Sequence, residues 1–98
     1  MLRNFRVYVA AIRFYKLCRK LDLPVGAKDQ LERASRSIGN NVSEGYGRIA
    51  PKDKRRFYRI AFGSLRECQS VFEQEDVKDP VLLDLLDFLG GGLYKLVR

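Results

Sequence analysis

The residues most able to do chemistry crowd the middle of the chain. In PKDKRRFYRIAFGSLR, the cations Lys52, Arg55, Arg56, Arg59 and Arg66 recur at helical spacing, and Arg48 lies just before them. On a helix they form a stripe about 21 Å long, at about 1.5 Å of rise per residue. Such a stripe can neutralise phosphates. Guanidinium groups meet phosphate oxygens in pairs of hydrogen bonds, and a nucleic-acid duplex of similar length offers several phosphates. A helix N-terminus normally attracts Asp or Glu, yet Lys52, Lys54, Arg55 and Arg56 fill these first turns, relieved only by Asp53. Each misplaced charge costs a few tenths of a kcal/mol. An anion on the free N–H groups would remove the mismatch.

A second basic set, Arg3, Arg6, Arg13, Lys16 and Lys20, recurs along the first helical segment, with Ala10 filling the gap opposite the apolar side. Residues 1–21 hold six cations and no acid, so no i,i+4 pair offsets their repulsion. A purely solvated face is the competing reading, but such faces usually mix signs. The candidate nucleic-acid-binding residues are therefore Arg6, Arg13, Arg48, Lys52, Arg55, Arg56 and Arg59. Tyr46 and Tyr58 could stack on unpaired bases, although tyrosine at helical spacing belongs more often to a core. A membrane surface fits less well, because the apolar side of the first helix is needed inside. Charge is uneven along the chain. Residues 1–66 carry sixteen Lys or Arg against five acids, a net of +11, and residues 67–98 carry three against seven, a net of −4, giving the total of +7. That asymmetry suggests a polyanion on one side.

A polar stripe, Arg33, Ser37, Asn41, Glu44 and Arg48, borders the apolar residues of the second helical segment. Half-buried, it reads as an ion pair of Glu44 with Arg33 or Arg48, supported by hydrogen bonds from Ser37 and Asn41. The catalytic alternative lacks support: there is no histidine, no second carboxylate at matching spacing, no nucleophile–base pair and no metal-ligand set. No enzyme activity, cofactor or metal is expected. Cys18 and Cys68 read as buried, reduced thiols.

Four segments must position these residues. Helical periodicity predicts helices over about 4–21, 27–44, from Pro51 to about 75, and from 81 onward, broken by DLPVG, by the GYGRIAP turn and by DVKDP. The first carries two apolar stripes, Phe5, Tyr8, Val9, Ile12 and Tyr15 beside Val7, Ala11, Phe14, Cys18 and Leu21. Gly45 and Gly47 sit where a left-handed helix cap belongs, not in a phosphate-loop motif. Short connections give an all-α fold, an antiparallel up-down-up-down four-helix bundle, as one domain over residues 1–98. Gly90, Gly91 and Gly92 should kink or fray the fourth helix unless a neighbour packs closely. That helix is apolar beyond one stripe, with Val81, Leu83, Phe88, Tyr94 and Val97 left over, which argues for self-association. No segment reads as a membrane span or secretion signal, so a cytoplasmic protein is expected.

QLERASRSIGNNVSEGYGR followed by FYRIAFGSLRE resembles the four-helix-bundle proteins encoded in intervening sequences of bacterial 23S ribosomal RNA genes. The resemblance is close over about residues 29–67. It implies a left-handed antiparallel bundle that assembles into a ring, typically a homopentamer. Relatives include the accessory variability determinant of diversity-generating retroelements, a basic barrel that works with nucleic acid and a reverse transcriptase. It also implies that Ser37, Asn41, Glu44 and Glu67, with Arg33, serve fold and assembly. The cations lie outside the shared pattern. The expected function is a non-enzymatic homo-oligomer that binds nucleic acid, RNA favoured, through the first and third helices. The alternative is a protein-interaction scaffold, such as an accessory subunit for a reverse transcriptase or another nucleic-acid enzyme.

Overall fold

The structure, a computed structural model, describes the backbone from Leu2 to Arg98 and the side chains from Phe5 onward. Four helices form: α1 (Leu2–Cys18), α2 (Val25–Gly47), α3 (Pro51–Gln74) and α4 (Pro80–Val97). Prolines open α3 and α4 at positions where no N–H is needed. Asp79 caps α4, its Oδ1 accepting from the Val81 and Leu82 N–H groups at 2.9 and 3.1 Å. α3 closes with Asp76 at φ 56° and the Val77 N–H reaching back to the Phe72 carbonyl at 2.9 Å, the six-to-one bond of a Schellman ending.

Several boundaries differ from the periodicity. α1 stops at Cys18 rather than Leu21. The carbonyls left over past its end are taken by Lys28, whose Nζ donates to Arg19 O at 2.9 Å and Leu21 O at 2.8 Å. α2 continues through Gly45 to Gly47, and no described glycine has positive φ. Neither glycine is therefore the left-handed cap; the turn is Arg48–Ala50, with Arg48 extended. Gly45 is there because a Cβ would lie 2.6 Å from Tyr58 Cε1 and 3.1 Å from the Lys54 carbonyl. Nor do Gly90–Gly92 interrupt α4. A Cβ at Gly92 would meet Val7 Cγ2 at 2.7 Å, so this glycine admits α1 at close range, while Gly91 faces open space.

The helices pack in a cycle. α2 lies against α1 and α3, α4 lies against α3 and α1, and the diagonal pairs bring no described backbones close together, meeting only through side chains in the core. Each contact runs antiparallel. Lys28 meets Leu21 while Arg36 meets Tyr15, Gly45 meets Tyr58 while Gln30 meets Glu67, and Gly92 meets Val7 while Leu85 lines a groove with Arg13. The bundle measures 40 × 22 × 19 Å. Its core is built from Val7, Ala11, Phe14 and Cys18 of α1, Leu31, Ala34, Ile38 and Val42 of α2, Ala61, Leu65, Cys68, Val71 and Phe72 of α3, and Leu82, Leu89 and Leu93 of α4. Phe14 and Phe72 cross the centre with ring centroids 5.8 Å apart.

Of the two apolar stripes on α1, only the second enters the core. Phe5, Tyr8 and Val9 stay exposed, whereas Ala10 is buried. Tyr58 belongs to the core, and Tyr46 is 43% exposed. No described helix is long and apolar enough to cross a membrane.

Candidate nucleic-acid interface

The cations of the α2–α3 turn and of α3 fall into three different settings. Lys54 folds back across the turn, its Nζ donating to Tyr46 O at 3.0 Å and Gly45 O at 3.4 Å, 5.8 Å from the Tyr46 ring centre. These carbonyls are the negative end of α2, so Lys54 stabilises one helix from a position that looks unfavourable on the next. Its placement therefore needs no external anion, which corrects part of the charge argument. Arg48 and Arg56 form the second setting. Both guanidinium groups stack on Phe57, at 4.7 and 4.4 Å from the ring centre. Arg48 also pairs with Glu44 at 3.2 Å, and Arg56 with Asp53 at 4.0 Å. These two charges are partly compensated inside the protein.

Lys52, Arg55, Arg59 and Arg66 are the third setting. None has a carboxylate within ion-pairing distance among the described residues. Arg55 is half-buried and the others are exposed. Arg55, Arg59 and Arg66 share a side of α3 with Phe62, at spacings of three, four and seven. Phe62 and Arg66 line the groove beside α4 with Leu86, Gly90 and Tyr94. The free cations thus run down the flank of α3 that borders α4.

The cations of α1 sit elsewhere. Arg6 and Arg13 line the α1–α4 groove with Phe5, Val9, Leu85 and Phe88, and Ala10 forms part of its floor. They do not lie opposite the core, because α4 packs over Ala10. Neither has an ion pair among the described residues, and the side chain of Arg3 lies outside those described. The two basic sets therefore occupy opposite flanks of α4 rather than one surface.

The polar stripe divides as well. Ser64 donates from Oγ to Ser37 Oγ at 2.8 Å, and Asn41 Nδ2 donates to Ser37 Oγ at 3.0 Å and Ser37 O at 2.9 Å. A turn away, Glu67 accepts from Gln30 Nε2 at 3.3 Å and pairs with Arg33 at 3.9 Å. Glu44 joins neither set. Its side chain is 58% exposed and, among the described residues, pairs with Arg48 alone, so the expected half-buried pair supported by Ser37 and Asn41 does not form. The reason is that Ser37 turns to Ser64 on α3, and Asn41 bonds Ser37 rather than Glu44. An exposed i,i+4 pair is worth about 0.3–0.5 kcal/mol.

One cluster escaped sequence reasoning. Arg36 donates to the Tyr15 hydroxyl at 2.6 Å, and Arg36 and Arg19 both lie over the Tyr15 ring. Glu32 pairs with both arginines, at 3.6 and 3.9 Å. The hydrogen bond to Tyr15 pushes the Arg36 pKa up, with Glu32 adding to it. Glu32 and Arg36 at i,i+4 were a visible signal; the aromatic partner across the groove was not. Cys18 and Cys68 are free, buried thiols. Burial pushes Cys18 up to about 12 and raises Cys68 further, with Cys18 and Glu67 adding to it, so both are poor nucleophiles at neutral pH. Among the described residues no three of Cys, Asp and Glu form a group that could hold a metal ion.

Acidic character collects at the far end of the molecule. Glu73, Asp76 and Asp87 line the groove between the end of α3 and the start of α4, with Lys78 the cation among the lining residues and Leu83 and Leu86 in its walls. The α3–α4 side of that end is thus acidic, whereas its α1–α2 side carries Arg19, Lys20 and Lys28.

No curated protein and no solved structure matches the chain. The family model for the 23S rRNA-intervening sequence protein matches residues 3–75, which span α1, α2 and α3 and stop before α4. With three-quarters of its length matched and four helices observed, the chain belongs to the 23S rRNA-intervening sequence protein family.

Proposed function

We propose that the protein is a non-enzymatic, cytoplasmic homo-oligomer that binds nucleic acid, RNA favoured, by neutralising backbone phosphates. The observation that carries the reading is that Lys52, Arg55, Arg59 and Arg66 follow one flank of α3 without a carboxylate partner among the described residues. Binding would release counterions and read little sequence. Arg48 and Arg56 contribute less, because Glu44 and Asp53 already share their charge. The test is a titration of labelled structured RNA over a range of salt. Replacing Lys52, Arg55 and Arg59 together by Ala should lower the magnitude of the log affinity–log salt slope by about 2–3, since each phosphate contact adds about 0.9 for a duplex. Affinity indifferent to salt, or an unchanged slope in the triple variant, refutes the proposal.

A protein-interaction role is favoured by a separate observation, the apolar α1–α4 groove bordered by Arg6 and Arg13. Its natural complement on a second copy is the acidic, Leu83-containing groove on the other flank of α4. Two unlike faces that fit each other give head-to-tail contacts. Because grooves of a four-helix bundle lie about a quarter turn apart, such contacts close into a ring of about four or five copies, in keeping with the pentamer implied by the resemblance. Molar mass measured after nuclease treatment tests this: Arg6→Glu with Arg13→Glu should release monomers, and an unchanged mass excludes the groove. A nucleic-acid enzyme, such as a reverse transcriptase, docked on the bundle is the scaffold form of this reading. It would be retained in a pull-down from nuclease-treated lysate.

A further inference from the structure

The tip of the α2–α3 turn carries Ile49, 95% exposed and the most exposed large apolar side chain described. An isolated surface isoleucine is ordinary; its mounting here is not. The Arg48 N–H bonds to Gly45 O at 3.2 Å, the Lys54 N–H to Ala50 O at 3.0 Å, and the Lys54 ammonium spans the turn to Tyr46 O at 3.0 Å. Arg48 is tied to Glu44 and stacked on Phe57, and Pro51 fixes the exit into α3. The tip is braced on both sides, so the side chain is held out from the bundle at a set position. The next charged side chains along the turn are Arg48, already shared with Glu44, and Lys52, which has no ion pair among the described residues. Arg55 follows one turn later, also without one.

We infer that Ile49 is an apolar wedge that enters the base stack of the bound nucleic acid while Lys52 and Arg55 hold neighbouring phosphates. This rests on the nucleic-acid reading above and names what that site prefers: a helix with a bulged or readily unstacked step. Apolar side chains inserted between base steps act this way in proteins that bend duplexes, and the unstacking costs least where pairing is already broken. Lys52 and Arg55 beside the tip call for an anionic partner, and a backbone that repeats phosphates on both sides of a base step supplies it.

The full-length protein is titrated with perfect duplexes and with duplexes carrying one bulged nucleotide, in RNA and DNA versions, with 2-aminopurine beside the bulge. The parent should prefer the bulged probe by roughly tenfold, the scale of burying one large aliphatic side chain less an unstacking cost, with a rise in 2-aminopurine fluorescence. Ile49→Ser should lose both the preference and the fluorescence rise while keeping salt-dependent duplex binding. The RNA and DNA arms show which stack is entered. Equal behaviour of Ile49→Ser and parent, with salt-dependent binding intact, overturns the wedge and leaves the phosphate reading standing. A lower molar mass for Ile49→Ser also overturns it, by placing Ile49 between copies. Absence of binding to every probe overturns the phosphate reading, and the wedge with it.

Discussion

Gly45→Ala tests the packing that fixes the basic corner. The added methyl would lie 2.6 and 2.9 Å from two ring carbons of Tyr58 and 3.1 Å from the Lys54 carbonyl oxygen, against a comfortable carbon–carbon separation of about 3.5–4.0 Å. Tyr58 is 3% exposed and has little room to swing, and the carbonyl belongs to the first turns of α3. Overpacking of this kind costs about 1–3 kcal/mol, while replacing a helical glycine returns up to about 1 kcal/mol. The net is a loss of about 1–2 kcal/mol, or a fall in Tm of about 5–15 °C for a chain of this size. Gly92→Ala should act in the same direction, because its methyl meets the stiff, buried Val7 at 2.7 Å. Gly63→Ala and Gly91→Ala have nothing within 4 Å and should gain up to about 1 kcal/mol. Thermal unfolding of all four, followed by far-ultraviolet circular dichroism at one protein concentration, separates packing from propensity. Helix propensity alone makes every variant more stable. If Gly45→Ala and Gly92→Ala match or exceed the parent, the close approaches described here are wrong.

Two further perturbations probe the interior. Cys18 is raised by burial to about 12, and Cys68 is raised in the same direction. Well below the free-thiol pKa of about 8.5 both folded and unfolded chains keep these protons, so the thiols then leave stability unchanged. Above it the unfolded chain releases them first, binds fewer protons than the native state, and stability falls by up to about 1.4 kcal/mol per pH unit per thiol. Denaturant midpoints should decline from about pH 9 upward, less steeply in Cys18→Ala, and an equal decline in that variant contradicts the assignment. Ser37→Ala strands the Ser64 hydroxyl and one Asn41 donor bond, at a cost of about 1–2 kcal/mol. A double-mutant cycle with Ser64→Ala should show coupling of at least about 0.5 kcal/mol, and simple additivity would mean that the hydroxyl pair stabilises nothing.

The helices and their breaks were legible because proline and apolar periodicity are local signals. DLPVG, Pro51 and DVKDP mark the three turns, and the core stripes of α2 and α4 follow from spacing alone. The Glu44–Arg48 pair was legible for the same reason, being i,i+4, whereas Glu32–Arg36 and Asp53–Arg56 have equally local spacing and were passed over. What failed depended on the neighbour. α1 has two apolar stripes, and which one is buried was decided by where α4 packs, over Ala10 rather than Val9. Gly45 follows an apolar pattern just as a cap would, and only Tyr58 on the next helix shows it to be a point of close approach. Lys54 looked misplaced because its partners are carbonyls across a turn. Arg33–Glu67 and Ser37–Ser64 likewise join residues far apart in sequence.

The division of charge orders the whole reading. Lys52 to Arg59 sit at the start of α3, and Glu73 and Asp76 at and just beyond its end, about 20–30 Å apart at helical rise. A neighbouring copy seated on the acidic groove would therefore leave the basic corner uncovered, and would place its own Arg6 and Arg13 against carboxylates instead of water. In a head-to-tail ring every copy points the same way, so the α2–α3 turns would all gather on one rim. Each rim position would present Lys52, Arg55, Arg59 and an outward Ile49, multiplying a weak phosphate contact by the number of copies. The family match ends before α4, yet α4 supplies a wall to both grooves. The proposed phosphate-binding corner thus lies within the family-matched segment, while the proposed assembly depends on the helix beyond it. For that reason the Arg6/Arg13 and Lys52/Arg55/Arg59 variants should separate: the first should lower molar mass while each released copy keeps its weaker phosphate contact, and the second should lower affinity and its salt dependence with the ring intact.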